Sequence, residues 1–155
     1  MPLFLGHFLL GLALVALDQA TKAWVRRAFV LGETRPLIDG ILHLTYVRNT
    51  GAAFGLLQGQ GPLLIAITLA LGALAFTQRA KWRRARPGER LALTLAVSGA
   101  LGNLIDRVWL GWVTDFVDLR VWPVFNVADA TIFVGVLLFA WHAVVRPERG
   151  AGCRA

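Results

Sequence analysis

The chain has 155 residues, 57% of them hydrophobic and 16% charged, with a mean hydropathy of +0.62. Soluble domains run at about 45–50% and about 25%, so a single domain of this composition reads as a membrane protein, and intrinsic disorder is excluded. The lone cysteine, Cys153, excludes a disulfide framework, and His7, His43 and His142 are too scattered for a zinc site, so no metal or cofactor is expected. The net charge of +7 would suggest nucleic acid in a soluble protein; here the positive-inside rule accounts for it, and no nucleic-acid partner is expected.

A spanning helix needs about 20 mostly apolar residues. Four segments approach or exceed that length: 3–25, 61–78, 91–110 and 124–145. They predict an all-α bundle of four transmembrane helices in one domain, 1–155. No Lys or Arg precedes the first apolar run and no small-x-small site follows it, so it reads as a span and not as a cleaved leader. The connection 26–60 is long for a linker. Within it Ile41, His43, Thr45 and Val47 alternate with Leu42, Leu44 and Tyr46 after Asp39-Gly40, which predicts a short hairpin outside the bilayer, packed on the helix ends. Residues 79–90 carry six basic side chains in twelve positions: Arg79, Lys81, Arg83, Arg84, Arg86 and Arg90. Pro123 is expected at the start of the fourth helix. The tail adds Arg146, Arg149 and Arg154. Both basic stretches fall on one side of a four-span bundle, which is then cytoplasmic, with both termini inside and anionic lipid as a neighbour. Arg26, Arg27, Arg35, Arg48, Arg107 and Arg120 are spread more thinly over the opposite side.

Ionisable groups inside spans cost about 2.5–3.5 kcal/mol each on insertion scales. Those of this chain gather at one end. Asp18, Gln19 and Lys22 lie late in the first span, Asn103, Asp106 and Arg107 late in the third, and Asn126 and Asp129 early in the fourth, with Asp115 and Asp118 between the last two. In the four-span topology all converge on a layer near the outer leaflet. Asp18 and Lys22 are i, i+4 and read as a structural pair. Asp106 and Arg107 read as an interfacial pair fixing the third span, and Asp118 as an exposed loop carboxylate. Gly99 and Gly102 give the third span a thin side that admits another helix.

Asp129 has no basic neighbour in its own helix, and Asp115, after Gly111 and Trp112, is placed to fold back towards it. Two carboxylates from different segments at a water-accessible edge can share one proton, one acting as base on a water and the other as acid. Other chemistries fit poorly. Ser98, the only serine, has no Lys or His on its own helix, and there is neither H-E-x-x-H nor a phosphate-loop pattern. Two other classes compete: a proton-coupled transporter, which predicts acidic groups near the midplane and usually repeated halves, and a structural subunit whose polar residues only lock helices together.

Five motifs stand in order: Asp18-Gln19-Ala20-Thr21-Lys22, Arg48-Asn49-Thr50-Gly51-Ala52-Ala53-Phe54-Gly55, Gly99-Ala100-Leu101-Gly102-Asn103-Leu104-Ile105-Asp106-Arg107, Val113-Thr114-Asp115-Phe116 and Phe125-Asn126-Val127-Ala128-Asp129-Ala130. Each is weak alone. Together, over most of the chain, they closely resemble the bacterial lipoprotein signal peptidases (signal peptidase II). The resemblance implies a membrane aspartic endopeptidase that removes the signal peptide from prolipoproteins just before a cysteine carrying a diacylglyceryl group. It implies Asp115 and Asp129 as the catalytic pair, and Asn103 and Asn126 as residues lining it. It also implies that Arg48, Asn49, Gly51, Asp106, Arg107, Asp18 and Lys22 support the site or contact substrate. It further implies sensitivity to globomycin-type inhibitors, a small extracytoplasmic β-cradle with a short amphipathic helix, and residence in the bacterial cytoplasmic (inner) membrane. Nothing in the sequence demands more than a monomer.

Overall fold

A computed structural model describes residues 2–52 and 56–145. The tail arginines, Cys153 and the Ala53-Phe54-Gly55 end of the second motif lie outside the described residues. The chain folds as α1 (Pro2–Ala28), β1 (Thr34–Ile38), β2 (Leu42–Asn49), α2 (Gly61–Thr77), α3 (Arg79–Arg84), α4 (Pro87–Leu110), β3 (Val113–Asp118) and α5 (Val127–Val145). Three helices, α1, α4 and α5, are long and apolar enough to cross a bilayer. The second expected span is a shorter apolar helix, α2, of 17 residues and about 26 Å of rise. Among the described residues of the 26–60 connection there is no helix beyond the end of α1.

The element ends follow their local chemistry. Pro87 opens α4 at a position that lacks an intrahelical N–H acceptor anyway, and the Glu89 carboxylate accepts the Arg86 N–H at 3.0 Å. Gly111 closes α4 in the left-handed region, φ +82°. Contrary to expectation, Pro123 does not start α5. The helix begins four residues later, because Asn126 caps it: its Oδ1 accepts the Asp129 N–H at 2.9 Å, and Asp129 Oδ2 accepts the Asn126 N–H at 3.3 Å.

The three strands form one antiparallel sheet in the order β1-β2-β3. The expected hairpin is β1–β2, turning at Asp39–Ile41 with Gly40 at φ +73°. The third strand is a feature that the sequence does not predict. The sheet docks on the end of α1, where Val25 and Phe29 pack against Tyr46 and Phe116.

α4 is the axis of the bundle and packs against α5, α1 and α2. Its contact with α5 depends on small residues. A Cβ on Gly99 would run into the Ala128 carbonyl oxygen, Ile132 and Thr131, and one on Gly135 would sit 2.7 Å from the Ala92 carbonyl oxygen. The thin face read from Gly99 and Gly102 therefore serves two contacts: Gly99 lies on the α4–α5 seam, and Gly102 faces the Asp18 carboxylate of α1 first and Ala128 of α5 second.

Candidate active site

The polar residues converge where the C-terminal ends of α1 and α4, the N-terminus of α5 and the inner edge of β3 meet. Period-two alternation along β3 turns Thr114 and Phe116 towards α1 and Asp115 the other way. Beyond β3 the chain turns at Arg120, φ +63°, whose N–H donates to Asp118 Oδ1 at 2.8 Å, and returns so that Phe125 bridges Val117. That return places Asn126 beside Asp115.

Asp115 is 1% exposed. Its Oδ1 accepts the Asn126 amide at 2.6 Å and its Oδ2 accepts the Asn49 amide at 2.9 Å. Asp129 is half-buried; its Oδ1 accepts the Asn103 amide at 2.7 Å. Asn126 also donates to Asn103 Oδ1 at 3.1 Å. Two asparagines thus link the carboxylates into one network. Burial first, and then the negative charge of Asp129, push the Asp115 carboxyl up to about 7, against the pull of the Asn49 and Asn126 hydrogen bonds and of Lys22.

A second network lies behind this pair. Lys22 is fully buried and donates to Asn103 Oδ1 at 2.9 Å while pairing with Asp18 at 2.9 Å and Asp106 at 3.4 Å. Asp18 Oδ1 accepts the Ala128 N–H in the first turn of α5 at 2.9 Å, and Asp106 Oδ2 accepts the Thr114 N–H at 2.9 Å. The two carboxylates therefore satisfy backbone donors of the elements that carry Asp129 and Asp115; Lys22 pairs with both, and Arg26, 3.8 Å from Asp106, adds a second positive charge. The expected Asp18–Lys22 pairing forms, and its hydrogen bonds reach across α1, α4 and α5.

Other expectations need correction. Asp106 and Arg107 do not act as one interfacial pair: Asp106 faces Lys22 and β3, whereas Arg107 donates to the Gly51 carbonyl oxygen at 2.8 Å. Adjacent helical positions point about 100° apart, which divides their partners. Asp118 is not an exposed loop residue. It ends β3 at 6% exposure and accepts Thr45 Oγ1 at 2.8 Å and the Arg120 guanidinium at 3.2 Å.

The Arg48–Gly51 motif forms a brace for Asp115. Asn49 spends its amide on Asp115, and its Oδ1 accepts the Gly51 N–H at 2.9 Å. Gly51 is buried, and a Cβ there would lie 2.5 Å from the Leu56 carbonyl oxygen, so only glycine lets the turn close. Arg48 stacks over Trp112, 4.4 Å from the ring centroid, and its Nε donates to the Tyr46 hydroxyl at 3.3 Å. Sequence reasoning gave no specific role to Gln19 or Arg26. Gln19 donates to the Gly102 carbonyl oxygen at 3.0 Å and to Asp106 at 3.2 Å; Arg26 donates to Thr114 Oγ1 at 3.1 Å. The signal for Arg26 was present, since Asp18, Lys22 and Arg26 form one i, i+4 series. Among the described residues no group of three or more His, Cys, Asp or Glu side chains is arranged to hold a metal ion.

Bilayer-length helices with two hydrogen-bonded carboxylates at one end of the bundle define a membrane protein with a paired-carboxylate site. The model of the family described as signal peptidase (SPase) II matches residues 10–145, and the chain belongs to that family of peptidases. A lipoprotein signal peptidase of Syntrophomonas wolfei subsp. wolfei is 50% identical over 153 residues, covering 96% of this chain and 99% of the relative. One from Moorella thermoacetica is 43% identical over 137 residues, 88% of this chain and 91% of the relative. Among solved structures, a bacterial membrane enzyme determined by the in meso method at 2.3 Å resolution superimposes with a TM-score of 0.82 at 30% identity, covering 93% of each chain.

Proposed function

We propose that Asp115 and Asp129 are the catalytic pair with which this peptidase removes signal peptides from prolipoproteins. The substrate is cut just before the cysteine that carries a diacylglyceryl group. The observation that carries the reading is the linkage of the two carboxylates through Asn126 and Asn103, one buried and the other half-open. A buried carboxyl with its proton affinity raised to about 7 beside a second carboxylate supports one shared proton at neutral pH. The pair titrates as a unit, and burial favours Asp115 as the member that holds the proton.

A water between the carboxylates loses a proton to Asp129 and attacks the scissile carbonyl carbon, while Asp115 gives its proton to the carbonyl oxygen. The product of this step is a neutral gem-diol, and the shared proton has changed carboxyl. Asp129 then protonates the amide nitrogen, the C–N bond breaks, and a hydroxyl proton returns to Asp115. Lys22, Asp18 and Asp106 hold the elements in place and touch no reacting atom.

The remaining expectations form part of the same reading. α2 crosses the membrane as a fourth span, both termini and residues 79–90 are cytoplasmic, and the site opens near the outer leaflet of the cytoplasmic membrane. The β1–β2–β3 sheet acts as the cradle. Residues 1–155 act as one domain and one monomer, in contact with membrane lipid, and globomycin-type peptides compete with substrate for the site. Purified protein in detergent should cleave a diacylglyceryl-modified prolipoprotein before the modified cysteine, with globomycin inhibiting. Absence of cleavage by folded protein would return the transporter and structural readings.

A further inference from the structure

A cleft of about 840 Å³ separates α1 from α2 and α3, with α4 as its floor. It lies away from the aspartates. Its walls are apolar: Leu12 and Val15 on one side, Val97 and Leu101 below. From Arg90 to Ile105 the floor rises by about 22 Å along α4, more than the about 15 Å of hydrocarbon in one leaflet. At one end the walls change character, to Arg79, Trp82, Arg83 and Arg90.

Two side-chain groups at that end are incomplete. Trp82 Nε1 and Arg90 Nε are buried without a hydrogen-bond partner among the described residues. Both can only donate, so what satisfies them is an acceptor. The surrounding segment 79–90 has six basic residues and one acidic one, Glu89, whose carboxylate is engaged by the Arg86 N–H. The complement is therefore an anion with oxygen acceptors, attached to an apolar chain.

We propose that this cleft is a binding site for an anionic phospholipid, with its phosphate on Trp82 and Arg90 beside Arg79 and an acyl chain along Leu12, Val15, Val97 and Leu101. Charge argues against the other occupants. A signal peptide carries its own positive segment ahead of the apolar run, which the six basic residues repel, and a second copy of this chain would oppose its basic segment to this one. The site is independent of the aspartate pair.

Native mass spectrometry of the lipid-depleted full chain in detergent tests it, with phosphatidylglycerol and phosphatidylcholine of identical chains as probes. Phosphatidylglycerol should bind about tenfold more tightly, saturating at one tightly held lipid. Arg90→Gln and Trp82→Phe should each reduce the preference to about threefold or less; Trp82→Phe removes the N–H donor and keeps an aromatic side chain. Arg84→Gln, which removes the same charge from an exposed position outside the cleft, should keep it. Equal binding of the two lipids would overturn the proposal, as would an Arg84→Gln loss as large as that of Arg90→Gln. Displacement of the lipid by inorganic phosphate at equal concentration, or by a synthetic signal peptide, would overturn it too.

Discussion

α2 and the polar end of the bundle are solutions to opposite problems. α2 has no buried residue; Leu63, Ile67, Leu69, Leu71, Leu74 and Phe76 all face outward, and it leans on α4 and α3 alone among its more extensive contacts. As the fourth span proposed above, it would draw its stability from being apolar in an apolar solvent. The polar end does the reverse. Asp18, Lys22, Asp106, Asp115 and Asn126 are all at most 1% exposed, and every one has a partner. Lipid could neither solvate nor replace those partners, so this end must be specified residue by residue. The contrast teaches where sequence change is tolerated: the surface of α2 needs only hydrophobicity, whereas the polar end needs geometry.

The largest effect should follow from the proposed catalytic pair itself. Asp115→Asn or Asp129→Asn should lower turnover by about 1,000-fold or more in a prolipoprotein cleavage assay, with the protein still inserted. Lys22→Met comes next. It leaves Asp18 and Asp106 buried without their main counter-charge, and should cost about 3–5 kcal/mol in detergent or urea unfolding. Gly99→Ala forces a methyl into the Ala128 carbonyl oxygen and should cost about 1–3 kcal/mol. Gly72→Ala on α2, with open space around its Cα, should stay within about 0.5 kcal/mol by the same measurement. If these two glycines respond alike, the contrast between the seam and α2 fails.

The pH dependence sharpens the same contrast. Asp115 has a folded-state pKa of about 7 against an ordinary value of 3.8, so the folded protein binds more protons than the unfolded chain between those values. Its contribution to stability is full below the ordinary value and is lost as the pH rises through about 7. Asp115→Asn should therefore flatten that decline and unfold later than wild type at pH 8. Activity should fall over the same upper range, as the pair loses its shared proton.

Much of this was legible in the residues. Helical spacing groups Asp18 with Lys22, apolar runs locate α1, α4 and α5, and the small residues on α4 announce the seam. What escaped depended on partners distant in sequence. β3 is six residues long and buried on both faces, so it lacks the alternation that exposes a strand to reading. Asp118 looked like a loop residue because Thr45, its hydroxyl partner, comes from β2. Pro123 suggests an earlier start for α5, although Asn126-x-x-Asp129 is the stronger capping signal. Asp106 and Arg107 were read together because they are neighbours in sequence, and the fold sends them to different partners.

The most direct test measures cleavage and thermal unfolding together on wild type, Asp115→Asn, Asp129→Asn and Lys22→Met. Both aspartate variants should lose cleavage of a diacylglyceryl-modified prolipoprotein while unfolding at or above the wild-type temperature, and Lys22→Met should unfold distinctly earlier. A folded Asp115→Asn or Asp129→Asn protein that cleaves at near the wild-type rate would contradict the assignment of the pair.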